Sequence, residues 1–182
     1  MKNGIIDEIV AFWFETLKPE DWYRKNPAVD AAITERFGAT YDTLKTGVPA
    51  EWLAEPKGTL AAIIVLDQLP RNMFRDDPRA FATDHAALAL AKRAIGEGTD
   101  MLLPPEQRAF IYLPFQHAET VEDQARSIEL FTALGVPLNL DFALRHQAII
   151  ARFGRFPHRN AVLARPSTAE ELAFLQEPGS SF

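Results

Sequence analysis

The segment Thr59–Leu69 is apolar on nearly every side of a helix, and this feature constrains the fold more than any other. Leu60, Ile63 and Ile64 recur at the spacing of one helical face, and most residues between them are apolar too. A helix that is apolar all round is buried by its neighbours on most sides. The sequence therefore predicts a central helix enclosed by other helices.

The rest of the chain reads as amphipathic helices separated by short connections, without the alternation typical of strands. Asn26, Thr83, Thr120 and the capping box Ser167–Glu170 are the predicted helix starts. Helices are predicted over Ile5–Leu17, from Pro27 to about Gly47, over Asp84–Ile95, from Pro105 to a kink or end at Pro114, from Thr120 to Leu134, over Leu138–Phe153 and from Ser167 to about Gln176. With the central helix, about eight or nine helices are expected, and short connections favour stacked antiparallel neighbours.

Composition narrows the class of protein. The 182 residues, 47% of them hydrophobic and 24% charged, suit one globular domain over 1–182. The absence of cysteine excludes disulfides, thiolate nucleophiles and iron–sulfur clusters and suits the cytoplasm. The acids Asp7, Glu8 and Glu15 are untypical of a signal peptide, and Leu60–Leu66 is too short to span a membrane. A pI near 5.2 argues against general nucleic-acid binding.

Between Asp141 and Glu170 the chain carries five arginines and two histidines and contains neither lysine nor acid. This stretch has a charge of +5 whereas the whole chain has −6, so the remainder carries −11. A block of one sign needs an anionic counterpart, which is either the protein's own carboxylates or a bound ligand. Arginine in place of lysine favours planar, bidentate recognition of carboxylate or phosphate.

Asp67 and Arg71 continue the apolar face of the central helix, since they stand seven and eleven residues after Leu60. They are four residues apart and close enough to pair, although Pro70 lies between them. A buried carboxylate is destabilising unless it is paired and hydrogen-bonded, so Asp67 requires Arg71 or the C-terminal arginines as partners. Such a pair is either a structural network that fixes helix packing or part of a site.

His146 lies within the apolar face of the helix Leu138–Phe153, between Phe142 and Ile149. One interpretation is a core histidine with satisfied hydrogen bonds. The other is a general base or an anion donor that lines a pocket, because imidazole titrates near neutral pH. Arg152 projects about one position round from the same face and can reach the same pocket.

After Gly154 the chain passes through the turn Arg155–Asn160, which we expect Phe153 and Phe156 to anchor. Pro157 can start a helical turn, whose free N–H groups and dipole favour an anion. A solvated basic face is the alternative, and the interleaved aromatic residues argue against it. The ligand-binding residues predicted in this turn are Arg155, His158, Arg159 and Asn160.

A third polar group occupies Gln116–Glu119. His117 and Glu119 are two residues apart and do not face each other on a helix, but a non-helical turn can point both inward. With His146 and Asp67 they offer three or four metal ligands. The chain has no His-x-x-x-His or Glu-x-x-His spacing, so we predict no metal site. No nucleotide-binding glycine motif or nucleophile elbow occurs, and no cofactor is predicted.

Several segments together form a pattern specific enough to indicate a family. They are Leu66–Arg75, Arg79–Asp84, Tyr112–Phe115 with His117 and Glu119, and Arg152–Asn160. The chain resembles the bacterial domain of unknown function 924 family, and the likeness runs from Phe12–Phe14 to Gly179–Phe182. The resemblance implies an all-α fold similar to tetratricopeptide helical arrays, and it implies no established activity.

Three hypotheses for function follow. The first is a cytoplasmic binding module that holds an anionic small molecule or a peptide carboxylate through Arg71, His117, His146, Arg152, Arg155, His158, Arg159 and Asn160. The second is an enzyme that applies acid–base chemistry to an anionic substrate, with His146, His117, Glu119 and Asp67 as catalytic candidates. The third is a purely structural ion-pair network that holds the last helices together. The sequence predicts neither a membrane nor a general nucleic-acid partner.

Overall fold

A computed structural model describes residues 3–181, apart from the side chains of Asn3 and Tyr23. All regular secondary structure in this range is helical, which confirms the predicted all-α class. The α-helices are α1 Asn3–Ala11, α2 Pro19–Tyr23, α3 Pro27–Leu44, α4 Pro56–Ile63, α5 Leu69–Met73, α6 Asp84–Gly96, α7 Pro105–His117, α8 Val121–Leu134, α9 Pro137–Phe153 and α10 Ala169–Phe174. The described range also contains two π-helical turns, Phe12–Thr16 and Ile64–Gln68, and four 3-10 turns, Ala50–Trp52, Pro78–Phe81, Thr99–Leu102 and Pro157–Arg159.

The chain divides into two compact units. The first unit has the bounds Met1–Arg75 and Arg79–Pro114, and the second has the bounds Asp76–Pro78 and Phe115–Phe182. The first contains α1 to α6 and most of α7, and the second contains the last turn of α7 with α8, α9 and α10. That residues 1–182 form one domain stays a prediction.

The first unit is built around the predicted central helix. Helix α4, the π-turn Ile64–Gln68 and α5 form one continuous helical run, so the ten α-helical segments of the described range amount to nine helices. Leu60–Leu66 is completely buried, and the run contacts α1, α3 and α6. The enclosure predicted from the apolar sequence is therefore confirmed, because apolar surface on all sides requires neighbours on all sides.

The second unit is centred on the antiparallel pair α8 and α9, which a short connection at Gly135 joins. Gly135 has a φ of 76° and Gly154 has a φ of 68°, the left-handed conformation in which glycine ends a helix. Both helix ends were predicted from these glycines. Ile149, Ile150 and Phe156 form a core beside α9, and Phe153 and Phe174 pack against it.

Three predicted helix signals differ from the structure. Thr83 does precede α6, but its hydroxyl donates to the carbonyl of Leu66 at 2.5 Å and caps no N–H of the helix. Helix α7 continues through Pro114 to His117, so of the two alternatives predicted for Pro114, a kink or an end of the helix, the end is wrong. The loss of one N–H bond at proline is outweighed because the neighbours Ile111 and Phe115 are buried.

The third difference is a shift of one residue at α10. The sequence favoured a capping box of Ser167 and Glu170, whereas the structure forms it from Thr168 and Glu171. The Thr168 side chain accepts from Glu171 N at 3.1 Å, and the Glu171 carboxylate accepts from Thr168 N at 2.7 Å. Both registers satisfy the local pattern, and the tertiary contacts of Glu171 select the second.

Among residues 3–181, no helix combines the length and the apolar character needed to cross a bilayer.

Close packing in the first unit predicts opposite effects for two helical glycines. A Cβ added to Gly58 would lie 2.1 Å from the carbonyl oxygen of Trp52, whereas one added to Gly38 would meet nothing within 4 Å. We expect Gly58→Ala to lower the free energy of unfolding by about 1–3 kcal/mol through overpacking. Gly38→Ala, the matched control in α3, should raise it by about 0.5–1 kcal/mol because alanine restricts the unfolded chain. Urea denaturation measures both, and equal effects would contradict the close approach at Gly58.

Candidate functional site

The residues predicted to form a site are divided between the two units. Asp67 and Arg71 belong to the first unit. The second unit holds the remainder, namely His117, Glu119, His146, Arg152, Arg155, His158, Arg159 and Asn160. Each group is described within its own unit.

In the first unit, Asp67 is completely buried within the π-turn Ile64–Gln68. Gln68 Nε2 donates to Asp67 Oδ2 at 2.5 Å, and Arg71 Nη1 lies 3.5 Å from Asp67 Oδ1. Arg71 also donates to the carbonyl oxygen of Asp67. The i,i+4 ion pair predicted from the sequence is therefore confirmed, and the π-turn accommodates Pro70, which has no N–H for the helix.

Arg71 has a second acidic partner that the sequence did not identify. Its Nη1 and Nη2 donate to the two carboxylate oxygens of Asp84 at 2.9 and 3.0 Å. Burial alone would lower the pKa of Arg71, but the charges of Asp67 and Asp84 raise it above its usual value. The guanidinium therefore joins α5 to the first turn of α6.

Two further residues of the same motif bind Asp30 on α3. Asn72 Nδ2 donates to Asp30 Oδ1 at 2.9 Å, and Arg75 donates to both oxygens at 2.5 and 2.8 Å. Burial raises the pKa of Asp30, but hydrogen bonds from Arg75 and Asn72 bring it below its usual value. The polar residues of Leu66–Arg75 thus hold α5 to its neighbours α3 and α6.

In the second unit, His146, His158 and Arg159 lie around the fully buried Phe156, and His117 lies beside His146. The ring centroids of His117 and His146 are 6.3 Å apart, and His146 lies 5.5 Å from Phe156. His158 lies 5.6 Å from the Phe156 centroid, and Arg159 Cζ stands 4.7 Å above the same ring. We call His117, His146, His158 and Arg159 the histidine–arginine cluster.

The cluster is built by three elements. His117 ends α7, His146 lies on the inner face of α9, and His158 and Arg159 belong to the 3-10 turn Pro157–Arg159. The turn predicted at Pro157 forms, but as a single 3-10 turn of three residues, too short for the helical N-terminus expected there. His117 is the last residue of the helix, so it does not lie in the non-helical turn that would let both His117 and Glu119 point inward.

His146 is neutral at physiological pH. Burial, together with the positive charges of His117, Arg159 and His158, lowers its pKa to about 3. Its Nδ1 lies 2.8 Å from the carbonyl oxygen of Phe142. Since a carbonyl oxygen only accepts, Nδ1 carries the proton of the neutral ring, and Nε2 is the unprotonated nitrogen.

Glu119 beside the cluster is held by Arg165, another residue that the sequence did not identify. Arg165 donates to the two Glu119 oxygens at 2.6 and 3.0 Å, and the N–H of Phe156 donates at 2.7 Å. Burial raises the pKa of Glu119, but these hydrogen bonds and the charges of Arg159 and Arg165 lower it below its usual value. The only sequence signal for Arg165 was its position in the acid-free stretch.

The other polar residues of the turn are bound within the unit. Arg155 donates to both oxygens of Glu171 at 2.7 and 2.9 Å and to the carbonyl of Pro166 at 2.8 Å. The buried Asn160 donates to Ser167 Oγ at 3.1 Å and accepts from Arg165 Nε at 3.0 Å. The hydrogen bonds of Arg155 and Asn160 therefore hold the turn in place without a ligand.

Arg152 lies on the surface. Its Nε donates to Glu170 at 2.9 Å, and its guanidinium stacks over Phe153 and Phe174 at 4.6 and 5.6 Å. Four ion pairs join arginines of the stretch to carboxylates: Arg145 to Asp141, Arg152 to Glu170, Arg155 to Glu171 and Arg165 to Glu119. The protein's own acids thus supply much of the counter-charge that the stretch requires.

Across residues 3–181, no three His, Asp or Glu side chains converge in a way that would hold a metal ion.

The regular secondary structure of the described residues is all helical, arginines of the basic stretch pair with the protein's own acids, and histidines cluster in the second unit. These features define an all-α protein with a basic, histidine-containing cluster. The chain belongs to the family described as bacterial protein of unknown function (DUF924), which it matches over residues 9–179. It is also similar to a solved structure of a protein of unknown function from Agrobacterium tumefaciens, with 37% sequence identity and a TM-score of 0.90. That match covers 97% of this chain and 99% of the other. Among curated proteins, none matches.

The neighbouring acids Glu171 and Glu170 provide a test of the ion pairs. The hydrogen bonds from Arg155 and from the Thr168 N–H lower the pKa of Glu171 from 4.5 to about 2. Because the folded-state value is depressed, the stabilisation is fully present above about pH 4.5 and is lost as the pH falls towards 2. We expect Glu171→Gln to lower the thermal midpoint at pH 7 and to weaken the pH dependence of stability in this window.

Glu170→Gln is the matched control, because Glu170 also pairs with an arginine but is exposed. An exposed ion pair contributes about 0–1 kcal/mol, so this variant should resemble the wild type. Thermal unfolding at intervals between pH 2 and pH 7 measures both variants. A Glu171→Gln curve parallel to that of the wild type would contradict the depressed pKa.

Proposed function

We propose that the second unit binds a small oxyanion, a carboxylate or a phosphate, at the histidine–arginine cluster. The observation that carries the proposal is the gathering of basic side chains near His146: the ring centroid of His117 lies 6.3 Å away, and Phe156, 5.5 Å away, is in contact with His158 and Arg159. The positive charges of His117, Arg159 and His158 each lower the pKa of His146, in agreement with this geometry. The surroundings of the buried imidazole are therefore basic, which suits an anionic ligand.

The charges of the neighbouring groups support the same proposal. Arg159 and Arg165 each carry one positive charge, and Glu119 carries one negative charge, so these three groups have a net charge of +1. Both oxygens of Glu119 already accept from Arg165, and one accepts from the Phe156 N–H. An incoming oxyanion would face Arg159 and the two histidines His117 and His158, where its charge is stabilised.

The residues of the cluster differ in their exposure to solvent. His117 and His158 are partly exposed, whereas His146 and Arg159 are buried. A ligand would first meet the two outer histidines and then the guanidinium, whose planar fork suits a carboxylate or phosphate.

The geometry favours binding over acid–base catalysis at His146. With a pKa of about 3, His146 is not protonated to the imidazolium near pH 7 and its neutral ring is a weak base, so it is poorly suited to act as a general acid or a general base. The structural hypothesis is supported for Arg152, Arg155 and Arg165, which engage Glu170, Glu171 and Glu119. We therefore narrow the proposed binding residues to the histidine–arginine cluster.

We also propose a cytoplasmic location, because a chain without cysteine suits a reducing compartment. The tetratricopeptide-like arrangement likewise stays a proposal. Neither is needed for the oxyanion site, which depends only on the second unit.

Isothermal titration calorimetry with inorganic phosphate, acetate and succinate tests the proposal. We expect at least one of them to bind the wild type, and Arg159→Gln to weaken that binding by about 10-fold to 100-fold, the range of one charge-assisted hydrogen bond. Arg145→Gln is the matched control, because Arg145 lies on α9 in the same unit but is exposed and pairs with Asp141. It should leave the affinity unchanged.

A second pair of variants covers the case in which Arg159→Gln does not fold. His117→Gln alters a partly exposed member of the cluster, and His85→Gln alters an exposed histidine on α6 in the first unit. We expect only His117→Gln to weaken binding. If none of the three anions binds the wild type, or if both histidine variants behave alike, the proposed site is wrong.

A further inference from the structure

Helix α8 and the end of α7 contain buried side chains with polar atoms that have no hydrogen-bond partner among the described residues. These atoms are Gln116 Oε1, Gln124 Oε1 and Ser127 Oγ. The three residues are exposed by only 5%, 0% and 0%, respectively. Buried polar atoms in folded proteins are nearly always paired, so three such atoms in one unit point to a group that binds there. We call Gln116, Gln124 and Ser127 the polar floor.

The side-chain amide of Gln124 has a fixed orientation. Its Nε2 donates to the carbonyl oxygens of Gln116 and Ala118 at 2.8 and 2.7 Å, and lies 3.4 Å from that of Phe115. Carbonyl oxygens only accept, so a flipped amide would place Oε1 against three other oxygens. Oε1 is therefore an acceptor with a set direction, and it calls for a donor.

The polar floor adjoins the histidine–arginine cluster. The two carbonyls closest to Gln124 Nε2 belong to Gln116 and Ala118, the residues on either side of His117. Ser127 follows Gln124 by three positions on α8, so the two share a helix face. Helix α8 packs on α9, and α9 carries His146. Gln124 therefore lies beside the backbone that carries His117, and Gln116 directly precedes that residue.

We propose that the polar floor selects an oxyanion that also carries an uncharged hydrogen-bond donor, and so binds a carboxylate with a hydroxyl or an amide N–H on the adjacent carbon. This inference rests on the proposed function. The oxyanion lies against the cluster, while the donor reaches the two amide oxygens and the Ser127 hydroxyl. An uncharged donor fits better than an ammonium group, because Arg159 and the histidines repel positive charge.

Two sources share this chemistry: a small 2-hydroxycarboxylate, and the C-terminal carboxylate of a peptide with its own N–H. Lactate and N-acetylalanine represent the two, and propionate has the same three-carbon carboxylate without a donor. Alanine adds the charged donor. Calorimetry with these four compounds therefore separates the two sources and isolates the contribution of the donor.

We expect the wild type to bind lactate or N-acetylalanine about tenfold more tightly than propionate, which is the effect of one hydrogen bond. Alanine should bind more weakly than lactate and N-acetylalanine. Ser127→Ala, which removes one hydroxyl from a helical position, should reduce this preference and leave the affinity for propionate unchanged. Thr132→Ala is the matched control, because Thr132 is an exposed hydroxyl residue on the same helix. It should preserve the preference.

The outcomes separate this inference from the function on which it rests. Binding of phosphate or acetate with no preference for lactate or N-acetylalanine over propionate overturns the inference and leaves the oxyanion site intact. Ser127→Ala that raises the thermal midpoint while the preference persists overturns it too, since the hydroxyl would then be only a packing defect. If no anion of either series binds, the proposed function fails, and the inference fails with it.

Discussion

Each unit of the protein depends on the pairing of buried or half-buried carboxylates with arginine. An ionised carboxylate that leaves water destabilises the fold unless a positive charge and hydrogen bonds replace its hydration. Asp67 and Asp84 share Arg71 in the first unit, and Glu119 and Glu171 bind Arg165 and Arg155 in the second. These pairs fix which helix faces meet, so the apolar packing around them has one register.

The same pairing distinguishes the arginines that are engaged by acids of the protein from the basic residues assigned to the proposed site. The basic stretch first indicated one ligand-binding patch, but Arg152, Arg155 and Arg165 are engaged by acids of the same unit. The polar character that points to a ligand lies deeper, where His146 is neutral among basic groups and Gln124 and Ser127 present atoms without partners. The ion pairs of Arg155 and Arg165 hold the turn that carries the proposed site, which suits the precise positioning of a small anion.

Local sequence patterns were sufficient to predict contacts and helix ends wherever the residues involved are close in the sequence. The i,i+4 spacing predicted the Asp67–Arg71 pair, and the glycine at position 135 predicted the end of α8. Contacts between distant residues were beyond the same reasoning: Glu119 and Arg165 are 46 positions apart, and Asp30 and Arg75 are 45. Periodicity states which face of a helix is buried, but it contains no information about which acid lies opposite.

The sequence by itself determined the all-α class, the buried central helix, the placement of His146 on an inner face and the family, because apolar spacing, helix caps and linear motifs are local properties of a chain. Only the tertiary structure decided which arginines are neutralised, that the cap of α10 is Thr168 in place of Ser167, and that His117 lies beside His146 while His158 lies beside Phe156. Those outcomes depend on how deeply each group is buried and on which charges from distant parts of the chain lie next to it. Both are set only when the chain folds.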